Sequence, residues 1–238
     1  MGLRCIACGS AYRVIQDVPR LIVDETPQEV PHGILHRLAA RPRVYDLVQY
    51  LSRKNRVLRL IQPALESTAF RTVLDVGAGT GSIASFLPTS ARYIWLDRDP
   101  NKLAGYGGKS DGDAVLGDGT RLGIRSKAVD DVVCSCISHH LDDEQLESLC
   151  AELSRVARNR LFFLDAVRSP SPVARLLWKY DRGAHPRSDA ALLTVLGRYF
   201  DIGTITRFRV FHSYLFVVAA ARTGSPAGEL EPRVSHLG

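Results

Sequence analysis

Apolar positions along this chain change period from block to block, and each block predicts an element. From Val44 to Leu65 they recur at helical spacing (Val44, Leu47, Val48, Leu51, then Val57, Leu58, Ile61 and Leu65), which predicts one or two helices. The run Val73–Val76 then predicts a short buried strand. It opens into three alternating glycines, Gly77, Gly79 and Gly81, and SIASFL reads as the start of a helix stopped by Pro88. Further strands are predicted at Tyr93–Leu96 ending in Asp97, at Ala114–Gly117 before Asp118, and at Val132–Cys136. Asp142 with Gln145 starts a helix whose inner stripe is Leu146, Leu149, Leu153 and Val156. A fifth strand, LFFL, ends at Asp165. Two helical patterns, PVARLLWKY and SDAALLTVLGRYF, flank the loop DRGAHPR, and the strands GTITRFRVF and SYLFVVAAA close the series.

Strands alternating with helices predict an α/β fold with a mostly parallel sheet. Residues 3–23 read as a small hairpin, 24–42 as a proline-rich polar linker, and 223–238 as a disordered tail. The 238 residues suffice to bury a full core, and 45% hydrophobic with 24% charged residues is ordinary for a soluble protein. The strongest apolar run, 215–221, is too short to span a bilayer, and the N-terminus lacks the apolar core of a secretion signal. Five cysteines, an odd number, with three inside apparent strand and helix, predict a reduced, cytoplasmic protein. The net charge of +6 is scattered and carried mainly by arginine, without a dense basic run, so a nucleic-acid partner is not expected.

The glycine turn carries the first chemical signal. It lets a ligand approach the backbone, because no Cβ blocks it. Its spacing is not the dinucleotide G-x-G-x-x-G, since position 82 is Ser82. The pattern D-x-G-x-G-x-G, from Asp75 to Gly81, resembles motif I of the class I S-adenosylmethionine (SAM) methyltransferases. Asp97 stands twenty residues after Gly77 at a strand end, where a carboxylate can accept from both ribose hydroxyls. Asp99 reads as a helix N-cap before Pro100. The ordered motifs extend the resemblance over residues 44–221. It implies a Rossmann-like, seven-stranded, mostly parallel sheet with an antiparallel last strand and helices on both faces. The catalytic domain would be 43–222, preceded by a ribbon-like segment and linker over 1–42. The implied cofactor is SAM, leaving S-adenosylhomocysteine. Its binding set would be Asp75, Gly77, Gly79, Thr80 and Gly81 at the turn, Asp97 and Arg98 at the ribose, and Asp118 and Gly119 at the adenine. Tyr45, from the preceding helix, could face the pocket or pack in the core.

His139 and His140 follow the fourth strand's C-terminal end, where open α/β sheets place ligands. This stretch is similar to the fourth motif of methyltransferases around ubiquinone and menaquinone methylation. It lacks the N/D-P-P-Y/F motif of planar-amine methylation and the Pro-Cys nucleophile of cytosine-C5 enzymes. Either histidine could take a proton from the acceptor, or both could shape the pocket. In this family the insertion, here 166–200, commonly builds the acceptor pocket, which makes Trp178, Tyr180, Arg182, His185 and Arg187 candidates. The alternative is a surface loop of Arg–Asp pairs. Cys5 and Cys8 form half of a tetrahedral zinc site. With Tyr12, Pro19 and Leu21 they resemble the second half of a zinc ribbon that some bacterial methyltransferases carry, so a degenerate hairpin without metal is expected. The resulting reading is a methyltransferase acting on an oxygen, nitrogen or carbon of a small molecule, in specialised or lipid metabolism. Its rivals are an RNA or protein methyltransferase and a SAM-fold protein that does not methylate. The oligomeric state stays open, a homodimer included.

Overall fold

The computed structural model describes residues 2–6, 9–22, 54–66, 69, 71–103, 113–169, 178, 185–210, 212–222 and 233–237. The strands are β1 (Gly2–Arg4), β2 (Ala11–Ile15), β3 (Val18–Pro19), β4 (Thr72–Val76), β5 (Arg92–Asp97), β6 (Asp113–Leu116), β7 (Val129–Ser135), β8 (Ala157–Val167), β9 (Phe200–Arg209), β10 (Ser213–Ala221) and β11 (Arg233–Leu237). The helices are α1 (Lys54–Glu66), α2 (Pro100–Leu103), α3 (Asp143–Val156) and α4 (Asp189–Tyr199).

One sheet runs in the order β11-β9-β10-β8-β7-β4-β5-β6. The run from β8 through β7, β4 and β5 to β6 is parallel, while β10 lies antiparallel to both β8 and β9. This is the expected Rossmann-like arrangement, with β11 added in parallel to β9 at the far edge. The order reverses at β4, so the crevice beyond the C-terminal ends of β4 and β7 is where such sheets receive ligands.

Each face of the sheet is buried under helices. On one face, Leu146, Leu149, Cys150, Leu153 and Val156 of α3 and Leu192 and Leu196 of α4 meet Leu74, Val132, Cys134, Leu161 and Phe163. On the other, Val57, Leu58, Ile61 and Leu65 of α1 meet Val73, Tyr93, Trp95, Val133 and Phe162. The two-residue alternation of the strands assigns neighbours to opposite cores. No helix among the described residues is long and apolar enough to cross a membrane.

α3 begins as expected. Asp142 accepts from the Gln145 amide at 2.9 Å, and the Gln145 side chain accepts from the Asp142 amide at 3.1 Å, a complete capping box. Asp99 likewise caps α2, accepting from the Asn101 amide at 2.9 Å. β1, β2 and β3 form a small antiparallel sheet of their own. The chain then lies beside β6, where Arg20 bridges Leu116 and the Leu21 amide bonds the Leu116 carbonyl at 2.8 Å.

Two expectations are corrected. SIASFL forms no α-helix; it makes turns and one 3-10 turn over Ala84–Phe86. The glycine loop holds the chain to Gly81 and Pro88 follows soon after, leaving too few residues to repay helix nucleation. The tail expected to be disordered carries β11 at Arg233–Leu237, because β9 leaves an unpaired ladder that an extended segment can join. The linker and the helical pattern before Lys54, Tyr45 included, lie outside the described residues, as does most of PVARLLWKY.

Candidate functional site

The glycine loop leaves β4 with Gly77, Gly79 and Gly81 all at positive φ, at 72°, 60° and 71°. A side chain on Gly77 would overlap Ile137, so this glycine is required by space as well as by conformation. β5 fastens the loop from beneath. The Leu96 carbonyl accepts from the Gly77 and Ala78 amides at 2.9 and 3.1 Å. The Trp95 indole N–H donates to the Gly79 carbonyl at 3.0 Å, and the Gly79 amide donates to Asp97 Oδ2 at 2.7 Å. Both backbone groups of Gly79 are therefore engaged by one strand.

Asp97 is 5% exposed. Its Oδ1 accepts from the Asp99 amide at 2.8 Å, and Lys102 Nζ stands 3.8 Å from Oδ2. Each carboxylate oxygen can accept a second hydrogen bond, so the group retains capacity for a ligand diol. Arg98 reaches Asp118 at 3.6 Å. Asp118 turns back on itself, with Oδ1 accepting from the Thr120 amide at 2.9 Å and its hydroxyl at 2.8 Å. Gly119 lies so close to Val76 and Leu149 that an added Cβ would stand 2.9 Å from Val76. Gly77, Gly79, Thr80, Gly81, Asp97, Arg98, Asp118 and Gly119 thus gather around the ends of β4 and β5. Asp75 is placed differently: it is fully buried within the sheet, accepting from the Tyr93 hydroxyl at 2.5 Å.

Across the crevice, β7 ends at Ser135 and turns through Cys136, a non-glycine residue at φ 54°. That left-handed residue carries strain of about 1 kcal/mol and turns the chain so that Ile137 packs on Gly77. Ser138–His140 then form a 3-10 turn. His139 is 6% exposed, and its Nδ1 lies 2.6 Å from Asp165 Oδ1. The Ser138 amide donates to Asp165 Oδ2 and the Ala166 amide to Oδ1, each at 2.7 Å. Burial alone pushes the Asp165 carboxyl up. The adjacent His139 charge, the bond to its ring and the Ser138 bonds outweigh that, and the carboxyl is held below its usual range. An ionised carboxylate only accepts, so Nδ1 carries the proton and the basic lone pair of a neutral His139 is on Nε2.

A row of rings continues from this pair. His140 is exposed, 4.2 Å from His139 between centroids; Trp178 meets His139 edge-on at 5.5 Å, and His212 lies 4.8 Å from Trp178. The Trp178 indole N–H is buried, with no hydrogen-bond partner among the described residues.

Arg187 departs from its expected role toward an acceptor. Its guanidinium is turned inward, donating to the carbonyls of Ser138 and Leu141 and to Asp143. His185 is exposed, and its amide bonds the His139 carbonyl at 3.0 Å. Tyr180 and Arg182 lie outside the described residues, as does Cys8. Cys5 sits in a tight turn, its carbonyl accepting from the Gly9 amide at 2.9 Å. No group of three or more His, Cys, Asp or Glu among the described residues could hold a metal ion. A cleft of about 640 Å³ between α3 and α4, lined by Arg168, His185, Arg187 and Arg198 among others, includes neither His139 nor His140. It lacks the chemistry gathered at the sheet's C-terminal edge.

Sequence reasoning missed Asp165, Trp95, Ile137 and His212 as parts of the site. Asp165 had a usable signal, since it ends a buried strand on the ligand side of the sheet, as Asp97 does.

Comparison with known proteins finds similar sequences and a shared fold. Residues 73–160 match the model of a methyltransferase domain family. An uncharacterized methyltransferase of Mycobacterium sp. (strain JLS) is 35% identical over 105 residues, which is 43% of this chain and 41% of that protein. The chain therefore spans less than half the length of the curated relatives it matches. Among solved structures, a chain from the complex of the Haloferax volcanii Trm112 methyltransferase activator with a methyltransferase superposes with a TM-score of 0.62 at 14% identity, covering 78% of this chain and 99% of its own. Magnesium protoporphyrin IX methyltransferase from Synechocystis, with bound S-adenosylhomocysteine, superposes at 0.56 and 17% identity, covering 80% and 88%. At these identities the superpositions establish the fold.

Proposed function

We propose, starting from a chain whose residues 73–160 match a methyltransferase domain family, that it is a SAM-dependent enzyme that methylates a small molecule at a hydroxyl oxygen or an acidic carbon, with His139 as the base. The observation that carries this reading is the His139–Asp165 pair at the mouth of the switch point. SAM, when bound, supplies a methyl group on a positively charged sulfur. The residues present fit it: a glycine cradle closed to any Cβ at Gly77, and a carboxylate with remaining acceptor capacity at the end of β5. Gly77–Gly81 would border its amino-acid end, Asp97 would hold the ribose, and Asp118 with Gly119 would border the adenine.

An acceptor that attacks through oxygen must lose a proton as it does so. Asp165 fixes the ring of His139 and its tautomer, which directs Nε2 to that proton, and stabilises the imidazolium that results. His140, exposed beside it, shapes the approach. The small-molecule class rests on the absence from the sequence of the planar-amine motif and of any dense basic run.

The test is a panel of hydroxylated small molecules incubated with methyl-labelled SAM and either wild type or His139→Ala. Labelled product from the wild type, reduced about 10²–10⁴-fold in the variant, is expected. Equal rates would remove His139 from the chemistry. Labelling only of added RNA or protein would overturn the substrate class.

A further inference from the structure

A three-residue 3-10 turn has little stability of its own, and its backbone groups need partners outside it. The turn bearing His139 is gripped from two sides. Asp165 takes the Ser138 amide and the His139 ring. The other grip comes from the segment His185–Arg187, within the 166–200 insertion. The His185 amide bonds the His139 carbonyl at 3.0 Å. Arg187 then donates one terminal nitrogen to the Ser138 carbonyl at 2.8 Å and to the His185 carbonyl at 3.3 Å. The other donates to the Leu141 carbonyl at 2.8 Å and to Asp143 at 2.6 Å, and Nε reaches Asp143 at 3.0 Å. All five N–H directions of the fork are used, and the side chain is only 11% exposed.

We propose that Arg187 is a positioning residue for His139: its planar fork clamps the carbonyls on either side of the histidine pair and so sets the bond between His139 and Asp165. The proposal rests on the reading of His139 as the base. A surface ion pair with Asp143 would contribute little and would not need a buried guanidinium. The Ser138 and Leu141 carbonyls are bracketed by one rigid group, a geometry that the single ammonium of lysine cannot reproduce. Without the fork, Ser138 is free to draw away from Asp165, and the imidazole loses its fixed direction. A base displaced by about 1 Å loses on the order of 10²-fold in rate.

The charge-conserving Arg187→Lys variant tests this on the protein alone. A proton held between an imidazole Nδ1 and a carboxylate gives a low-field proton NMR signal, assigned here by its loss in Asp165→Asn and His139→Gln. In Arg187→Lys this signal should broaden or vanish, while SAM affinity by calorimetry stays within about twofold. With an acceptor from the labelled panel, kcat should fall about 10- to 100-fold with little change in the KM for SAM. A signal and a kcat equal to wild type would overturn the proposal, even if the melting temperature dropped. Should Arg187→Lys fail to fold, Asp143→Asn loosens the fork from its exposed side and should weaken the same signal; an unchanged signal there also overturns it. If His139→Gln keeps wild-type turnover, the base reading fails and this proposal with it. If His139→Gln is inactive and Arg187→Lys is normal, only the role of Arg187 fails.

Discussion

Asp97 has two tasks at once. It fastens the glycine loop through the Gly79 amide, and in the proposed reading its remaining lone pairs would take the ribose hydroxyls. Asp97→Ala should therefore weaken SAM binding by about 10- to 100-fold, the worth of one or two hydrogen bonds to a charged group, as read by calorimetry; unchanged affinity would refute the ribose assignment. Gly77 is constrained by Ile137. Gly77→Ala should cost roughly 1–3 kcal/mol in a thermal melt, and adding Ile137→Ala should recover part of that, since it removes the overlap but not the left-handed backbone. Asp165 has a depressed native pKa. Its stabilising contribution is full above the ordinary carboxylate range near pH 4 and is lost as pH falls through the native value. The melting-temperature gap between wild type and Asp165→Asn should be widest near neutrality and close in acid; a gap independent of pH would contradict the ionised pair. At this scale the sequence revealed the residues whose signal is local: glycine spacing, an acid at a strand end, histidines after a buried run. It hid partners brought together only by the sheet. Asp165 reaches His139 because β8 lies beside β7, and Arg187 reads as an acceptor-site candidate or a surface Arg–Asp pair until its fork is seen on backbone carbonyls.

Elements were legible where start and stop signals accompanied the periodicity. α3 has its capping box and apolar stripe, and it forms as expected. Asp142→Ala should lower stability by about 0.5–2 kcal/mol in chemical denaturation, while Asp142→Ser should retain most of it. A loss as large for Ser as for Ala would remove the cap from the account. The segment after the glycine loop misled, because its apolar spacing is helical but its length is not. The chain there is short enough that β5 follows almost directly, and Trp95 and Leu96 support the loop in place of a helix. The strand β11 was hidden for the opposite reason: a polar five-residue segment acquires its conformation only from the ladder of β9.

In the whole molecule, the sheet separates the tasks. β4, β5 and β6 carry the residues proposed to hold the cofactor, β7 and β8 the histidine and its carboxylate, and β9, β10 and β11 close the far edge. Deleting residues 223–238 should consequently lower the melting temperature and promote association through the uncovered edge of β9, yet leave SAM affinity within about twofold. A large loss of affinity would mean that the two ends of the sheet are coupled. The mostly parallel α/β architecture was legible because strands and helices alternate along the chain and the motifs occur in the order that the resemblance implies. The two faces of the sheet were not, since near-continuous apolar runs such as LFFL do not say which residue meets which helix.

The central claim is that the crevice at β4, β5 and β7 receives SAM. Calorimetric titration of the purified chain with SAM and S-adenosylhomocysteine, with NAD as the control, tests it most directly. Saturable one-to-one binding of the first two and none of NAD is the predicted result; failure to bind either sulfur compound, or binding of NAD at the same site, would contradict it.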